Sequence, residues 1–208
     1  MRLGLFGGSF DPVHFGHLLL AESCREQLAL DQVWLMPASV PPHKRDAHLT
    51  DGAKRLDMLR LATGGEPAFV VSTIELDRGG VSYTVDTLAA IHAELPDTEI
   101  FLLLGSDSLA ELTTWRDPRQ ICELATPVAV RRAGTSAADS AALAEFISPE
   151  RLSAIQSHTV EMPLVGFSAS DIRQRVAARK SIRYRTPRAV EQYILSSRLY
   201  LPSVGVDG

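Results

Sequence analysis

Gly7-Gly8-Ser9-Phe10-Asp11-Pro12-Val13-His14-Phe15-Gly16-His17 is the stretch on which the architecture of this 208-residue chain turns. A short apolar run carrying Leu3, Leu5 and Phe6 breaks into the paired glycines, and an Asp-Pro turn and two histidines three residues apart follow. The run reads as a first strand and His17 to Leu28 as a first helix, which makes the segment a strand-to-helix turn. Gly7 and Gly8 can take backbone angles closed to other residues and let a ligand approach the main chain. A helix beginning near Gly16 offers unpaired N–H groups and a positive dipole end to an anion. His14 and His17 would flank that anion, and a histidine donating to a phosphoryl oxygen stabilises charge that builds up during substitution at phosphorus. A glycine pair or a histidine alone is weak, but their joint placement after a strand favours a phosphate site over a purely structural turn.

Outward from this turn, short apolar runs alternate with segments of helical period. Strands are expected at Arg2 to Phe6, Gln32 to Met36, Phe69 to Ser72, Ile100 to Leu104 and Pro127 to Val130. Helices are expected at His17 to Leu28, Asp51 to Ala62 and Thr84 to Leu95, and later at Ser168 to Arg179 and Pro187 to Leu195. This alternation predicts an α/β fold, a Rossmann-like doubly wound parallel sheet, with residues 1–208 forming a single domain whose last part, from about 166, is helical. Ligands of such sheets gather beyond the carboxyl ends of the strands, where Gly7, Pro37, Gly105 and Arg131 stand. The small polar stretch from Ala133 to Ser140 reads as a loop or insertion.

A hydrophobic content of 45% supports one sizeable core. The net charge of −4 argues against a duplex nucleic acid partner but leaves small anions open, since these need only a local positive site. Cys24 and Cys122 form no C-x-x-C pair and read as reduced thiols, neither a good nucleophile. No leader-like segment and no run near the ~18 apolar residues of a membrane span is present, so a cytoplasmic chain without a membrane partner is expected.

A second informative segment is Phe167-Ser168-Ala169-Ser170-Asp171-Ile172-Arg173. Ser168 or Ser170 can cap a helix while adjacent N–H groups and Arg173 face an anion. With H-x-G-H at positions 14 to 17, it resembles the two signatures of the nucleotidyltransferase superfamily that transfers AMP from ATP, the second usually written I-S-S-T-x-I-R. Phe167 stands for isoleucine, Ala169 for the second serine and Ser170 for threonine, whereas the hydroxyls at 168 and 170 and the arginine are kept. The two segments lie about 150 residues apart, each at a strand-to-helix junction, which makes chance agreement improbable.

The middle of the chain narrows the resemblance. Pro41-Pro42-His43-Lys44, Gly79-Gly80-Val81-Ser82-Tyr83-Thr84, Gly105-Ser106-Asp107 and Thr114-Trp115 are similar to the bacterial nicotinate-nucleotide adenylyltransferases. That resemblance implies adenylyl transfer from ATP to nicotinate mononucleotide, with His14, His17 and Arg173 catalytic and Mg²⁺ arriving with ATP. It implies an ATP site at Gly7, Gly8, Ser9, Phe10, His14, His17, Gly105, Asp107, Ser168, Ser170 and Arg173. It implies a nicotinate mononucleotide site at His43, Lys44, Tyr83, Thr84, Trp115 and Arg132. The chemistry suits these types: Trp115 offers a flat face to a pyridinium cation, and a helix start at Tyr83 and Thr84 would favour a carboxylate over a neutral amide. Plainer roles stand beside them: Trp115 as a core residue, Thr84, Ser106 or Asp107 as helix caps, and His43 and Lys44 as solvated charge. A sister transferase acting on phosphopantetheine shares both signatures, and a non-catalytic nucleotide sensor on the same fold is the alternative from another class. Hydride transfer lacks its G-x-G-x-x-G after the first strand, and two histidines without a third ligand do not define a zinc site. Oligomeric state stays open, with a homo-oligomer compatible.

Overall fold

A computed structural model describes residues 1–42, 49–132 and 140–202. Six strands form one wholly parallel sheet: β1 (Arg2–Gly8), β2 (Gln32–Pro37), β3 (Phe69–Val71), β4 (Glu99–Gly105), β5 (Thr126–Arg132) and β6 (Thr159–Met162). Their spatial order is β3-β2-β1-β4-β5-β6, so the winding reverses between β1 and β4. That reversal is the doubly wound arrangement, whose ligand crevice opens at the carboxyl ends of the two strands flanking it. β1 ends there on Gly8 and β4 on Gly105.

The interior of β4 shows why these segments become strands. Ile100, Phe101, Leu102, Leu103 and Leu104 are all buried, a continuous apolar run of the kind a sheet covered on both faces requires. Successive side chains point to opposite faces. Phe101 and Leu103 enter one core with Leu35, Val128 and Val160, while Ile100, Leu102 and Leu104 enter the other with Leu3, Leu5 and Leu88.

The helices are α1 (Phe15–Gln27), α2 (Gly52–Thr63), α3 (Ile74–Arg78), α4 (Thr84–Glu94), α5 (Ser106–Ala110), α6 (Pro118–Leu124), α7 (Pro149–Ser157), α8 (Ala169–Ala177) and α9 (Arg188–Ser196). The C-terminal helices join the first core through Ile172, Val176, Val190 and Ile194. α9 packs on α2, and the Tyr193 hydroxyl donates to Asp57 Oδ2 at 2.9 Å to fasten the pair. Among the described residues no helix is long and apolar enough to cross a membrane.

The expected strands and long helices form within about two residues of their anticipated ends. β6 and the short helices α3, α5, α6 and α7 are additions. Residues 133 to 139 of the anticipated loop lie outside the described residues.

Candidate active site

One expectation about the first turn is corrected. Gly7 and Gly8 do not use the left-handed region, because they simply finish β1, paired with Met36 and Pro37. Their contribution is space: a Cβ on Gly7 would meet nothing within 4 Å, so the main chain there is open to a ligand, whereas a Cβ on Gly8 would crowd the Phe10 ring at 3.2 Å. The left-handed angle falls instead on Phe10, at φ 46, a conformation that costs a side-chain-bearing residue about 1–2 kcal/mol. Burial holds it there: Phe10 is 1% exposed, with its ring edge-on to Phe6 and to His17.

The chain then turns at Asp11-Pro12, a cis peptide, and α1 starts at Phe15 with His14 as its N-cap, slightly before the anticipated start. The rings of His14 and His17 stack, with centroids 3.7 Å apart and planes 18° from parallel. Gly16 permits this, since a Cβ at that position would stand 3.1 Å from the His14 ring. His17 Nδ1 accepts from the His14 backbone N–H at 3.2 Å. In the neutral ring the proton therefore sits on Nε2, which becomes the donor. Burial, and then the neighbouring His14, keep the His17 pKa well below the usual 6.5. The ring thus works as a neutral N–H donor rather than as a cation.

That shift has a consequence for stability. The unfolded chain takes up this proton near 6.5 and the folded chain resists it, so stability is full above that value and falls as the medium turns acidic. Thermal unfolding should shift to lower temperature between about pH 7 and about pH 5, and His17→Asn should flatten part of that slope. Equal slopes in the two proteins would contradict the buried neutral ring.

The second signature converges on the same place. Ser168 caps α8, its hydroxyl accepting from Asp171 N–H at 3.1 Å, and Ser170 lies exposed in the first turn. Phe167 packs near both Phe15 and Gly16, which sets the starts of α1 and α8 side by side. Arg173 reaches back across 162 residues of sequence to donate from Nη1 to the Asp11 carbonyl at 2.6 Å. Two helix N-termini and one half-buried guanidinium thus face the crevice beyond β1, a setting matched to a polyanion.

The other half lies around a cavity of about 390 Å³ lined by Pro42, Tyr83, Thr84, Thr114, Trp115, Arg116 and Ile121. Gly79 and Gly80 take φ values of 67 and 65, and this left-handed pair turns the chain from α3 into the segment that opens α4. Tyr83 is the N-cap of α4, with no side chain capping the helix, and Thr84 is its first residue. The segment is pinned twice: Ser82 N–H donates to the Val40 carbonyl at 2.9 Å, and the Ser82 hydroxyl accepts from Ser39 N–H at 2.9 Å. Behind it, the buried Thr87 hydroxyl accepts from Arg78 and donates to Glu75, both at 2.8 Å. Trp115 both lines the cavity and packs on the second core.

Gly105 is the N-cap of α5, and Asp107 stands exposed in its first turn; neither Ser106 nor Asp107 caps it, because the Ser106 hydroxyl donates to the Val130 carbonyl at 3.3 Å. Arg132 closes β5 opposite Met162. His43 and Lys44 lie outside the described residues. Burial pushes the thiols of Cys24 and Cys122 up to about 12 and about 11, which leaves both inert near neutrality.

Sequence reasoning passed over several residues. Arg116 lies over the Tyr83 ring at 4.8 Å and pairs with Asp86 at 3.2 Å, placing a cation at the cavity edge; its position beside Trp115 was the available signal. Arg55, 2% exposed, and Tyr200 bind the first turn from afar, and nothing local marks them.

The chain matches the family model described as cytidylyltransferase-like over residues 5–175. Among curated proteins it is 43% identical to a "probable nicotinate-nucleotide adenylyltransferase" of Thermomicrobium roseum, over 96% of this chain and 91% of that protein. It is equally 43% identical to a protein of the same name from Exiguobacterium sibiricum, over 96% and 99% of the two chains. Among solved structures, the Plasmodium falciparum nicotinic acid mononucleotide adenylyltransferase complexed with NaAD superposes with a TM-score of 0.72 at 16% identity, covering 96% of this chain and 97% of that one. The last likeness establishes shared fold, and the sequence matches establish kinship along nearly the whole chain. The chain therefore belongs to the cytidylyltransferase-like family, among its nicotinate-nucleotide adenylyltransferases.

Proposed function

We infer that this protein, acting as a single catalytic domain, transfers AMP from ATP to nicotinate mononucleotide, giving nicotinate adenine dinucleotide and pyrophosphate. The observation that carries the reading is the cavity in which the Trp115 ring and the N-terminus of α4 meet. A ring that stacks on a pyridinium and a helix start that attracts a carboxylate together describe nicotinate. Phosphopantetheine, a flexible chain without an aromatic cation, would gain little from either.

The acceptor phosphate is already ionised near neutrality, so no general base is needed for attack on the α-phosphorus. Catalysis reduces to positioning two anions and stabilising developing charge. The exposed main chain at Gly7 and the starts of α1 and α8 would cradle the triphosphate. His17 would donate from Nε2 with His14 stacked on it, and Arg173, with Nη1 fixed on the Asp11 carbonyl, would turn the rest of its fork to phosphate. Gly105 and Asp107 would meet the adenosine half, while Arg132, His43 and Lys44 would meet the acceptor phosphate. Among the described residues no group of three or more His, Cys, Asp or Glu side chains could hold a metal. A Mg²⁺ ion would come as a passenger on the triphosphate, held by phosphate oxygens and water, and would supply charge neutralisation there. Activity in the cytoplasm on small molecules alone, without nucleic acid or membrane, fits the charge and composition.

Pyrophosphate release with ATP and a panel of nicotinate mononucleotide, nicotinamide mononucleotide and phosphopantetheine tests the reading: the first should be fastest, and faster turnover of phosphopantetheine would overturn it. Arg173→Lys should lower turnover by about tenfold or more, because an ammonium keeps the charge but cannot hold Asp11 and grip phosphate with one planar fork. Unchanged ATP affinity and turnover in that variant would reduce Arg173 to a surface residue of α8.

A further inference from the structure

Three alternate carbonyls of the turn between β1 and α1 are held by side chains from outside it. Ser9 accepts from Arg55 Nη1 at 2.9 Å, Asp11 from Arg173 Nη1 at 2.6 Å, and Val13 from Thr186 Oγ1 at 2.8 Å. The Asp11 side chain is itself a hub. It is 2% exposed, Oδ1 accepts from the Tyr200 hydroxyl at 2.6 Å, and Oδ2 accepts from Thr50 N–H at 3.1 Å. Thr50 gives its own carbonyl to Arg55 Nε at 2.8 Å. Two buried groups of opposite charge are thus bridged by one residue, the arrangement in which a buried carboxylate is tolerated. Burial, and then Asp11, push the Tyr200 hydroxyl well above its ordinary range, so it stays a neutral donor.

We propose that Tyr200 and Asp11 form a latch through which the C-terminal segment keeps the histidine turn in register with Arg173, making both positioning residues for adenylyl transfer. The proposal rests on the functional reading above. Asp11 carries both ends of the argument, since its carboxylate receives Tyr200 and its carbonyl receives Arg173. If the carboxylate loses its phenolic donor, the turn relaxes toward another one, and the carbonyl that fixes Arg173 moves with it. The histidines sit within six residues of that carbonyl. Displacement of positioned groups lowers the rate of the chemical step more than it weakens ground-state binding. Among the described residues, the segments around Tyr83 and Trp115 line the acceptor cavity, and neither Asp11 nor Tyr200 is among its lining residues.

The test is Tyr200→Phe, which keeps the ring and removes the hydroxyl. With ATP and nicotinate mononucleotide, assayed well below the variant's melting temperature, kcat should fall roughly 10- to 100-fold. The KM for nicotinate mononucleotide and the preference over nicotinamide mononucleotide should stay at wild-type values, a split that general loosening of the fold would not produce. Asp11→Asn removes the carboxylate charge and can keep the Tyr200 contact only with the amide as donor and the phenol as acceptor, and should show the same split. Acting as one unit, the two changes together should cost no more than the worse single change. Wild-type kcat in Tyr200→Phe, a loss confined to acceptor KM, or independent losses that multiply would each overturn the latch; Asp11→Asn decides the matter if Tyr200→Phe does not fold. A wild-type protein that adenylates only a different acceptor would defeat the substrate reading instead, and the kcat loss would then be read with that acceptor.

Discussion

His17→Ala is expected to lower kcat by on the order of 10²-fold or more while ATP affinity changes only a few fold, the signature of a donor whose bond strengthens as charge develops. The geometry gives the reason. Nδ1 is committed to the His14 backbone N–H, so the ring cannot rotate without orphaning that donor, and the remaining proton is fixed on Nε2. A ring held neutral by burial is a preorganised dipole rather than a mobile cation, so little reorganisation accompanies the reaction. ATP would keep its other proposed anchors, the two helix starts and Arg173. The variant also loses its stack on His14 and the bond from the His14 N–H, about 1 kcal/mol of stability, so kinetics belong well below its melting temperature. A folded variant with kcat within about threefold of wild type would remove His17 from the chemistry.

What the sequence discloses about this site divides by range. The H-x-G-H turn, the Ser168 cap and the α4 start are legible as local patterns, although distant partners also hold the first turn and the segment that opens α4. The buried strands are equally legible, because β4 carries five consecutive apolar residues that only a doubly covered sheet can use. β6 escaped notice because it is a four-residue edge strand in which only Val160 and Met162 are buried, too short for periodicity to register. The short helices α6 and α7 do carry readable starts, Asp117-Pro118 and Ser148-Pro149, each a capping side chain followed by proline in the first turn. The glycine argument failed at Gly7 and Gly8 for a physical reason: glycine admits the left-handed region without requiring it, and here the strained angle was placed on Phe10, where burial could hold it. Least legible of all is the network around Asp11, whose partners Arg55, Arg173 and Tyr200 lie dozens to nearly two hundred residues away. No spacing rule joins them; only the packing of α2, α8 and the C-terminal segment against one turn does.

The acceptor half yields the other large effect. Nicotinate mononucleotide should be used far better than nicotinamide mononucleotide, since the two differ only by a carboxylate against a neutral amide. The start of α4, where Tyr83 N–H is given to the Val81 carbonyl at 3.1 Å and the N–H of Thr84 follows, is where that difference would be read. Its dipole contributes ~0.3–2 kcal/mol, and charge-assisted N–H bonds add ~1.5–3 kcal/mol. At ~1.4 kcal/mol per tenfold, the preference should be roughly tens to thousands in kcat/KM. The amide also brings donors toward N–H groups that are themselves donors, a mismatch that enlarges the gap. Arg116, paired with Asp86 and resting on the Tyr83 ring, offsets the negative charge that Asp86 brings to the first turn of α4, which would otherwise oppose a carboxylate there. Trp115→Ala separates the two halves of recognition: it should weaken both acceptors by a similar factor, because stacking reads the ring and not its substituent. Steady-state kinetics with both acceptors, on both proteins, decide it. Equal use of the two by the wild-type protein would mean that the α4 start is no carboxylate site, even with adenylyl transfer intact. A Trp115→Ala effect confined to one acceptor would mean that the indole does more than stack.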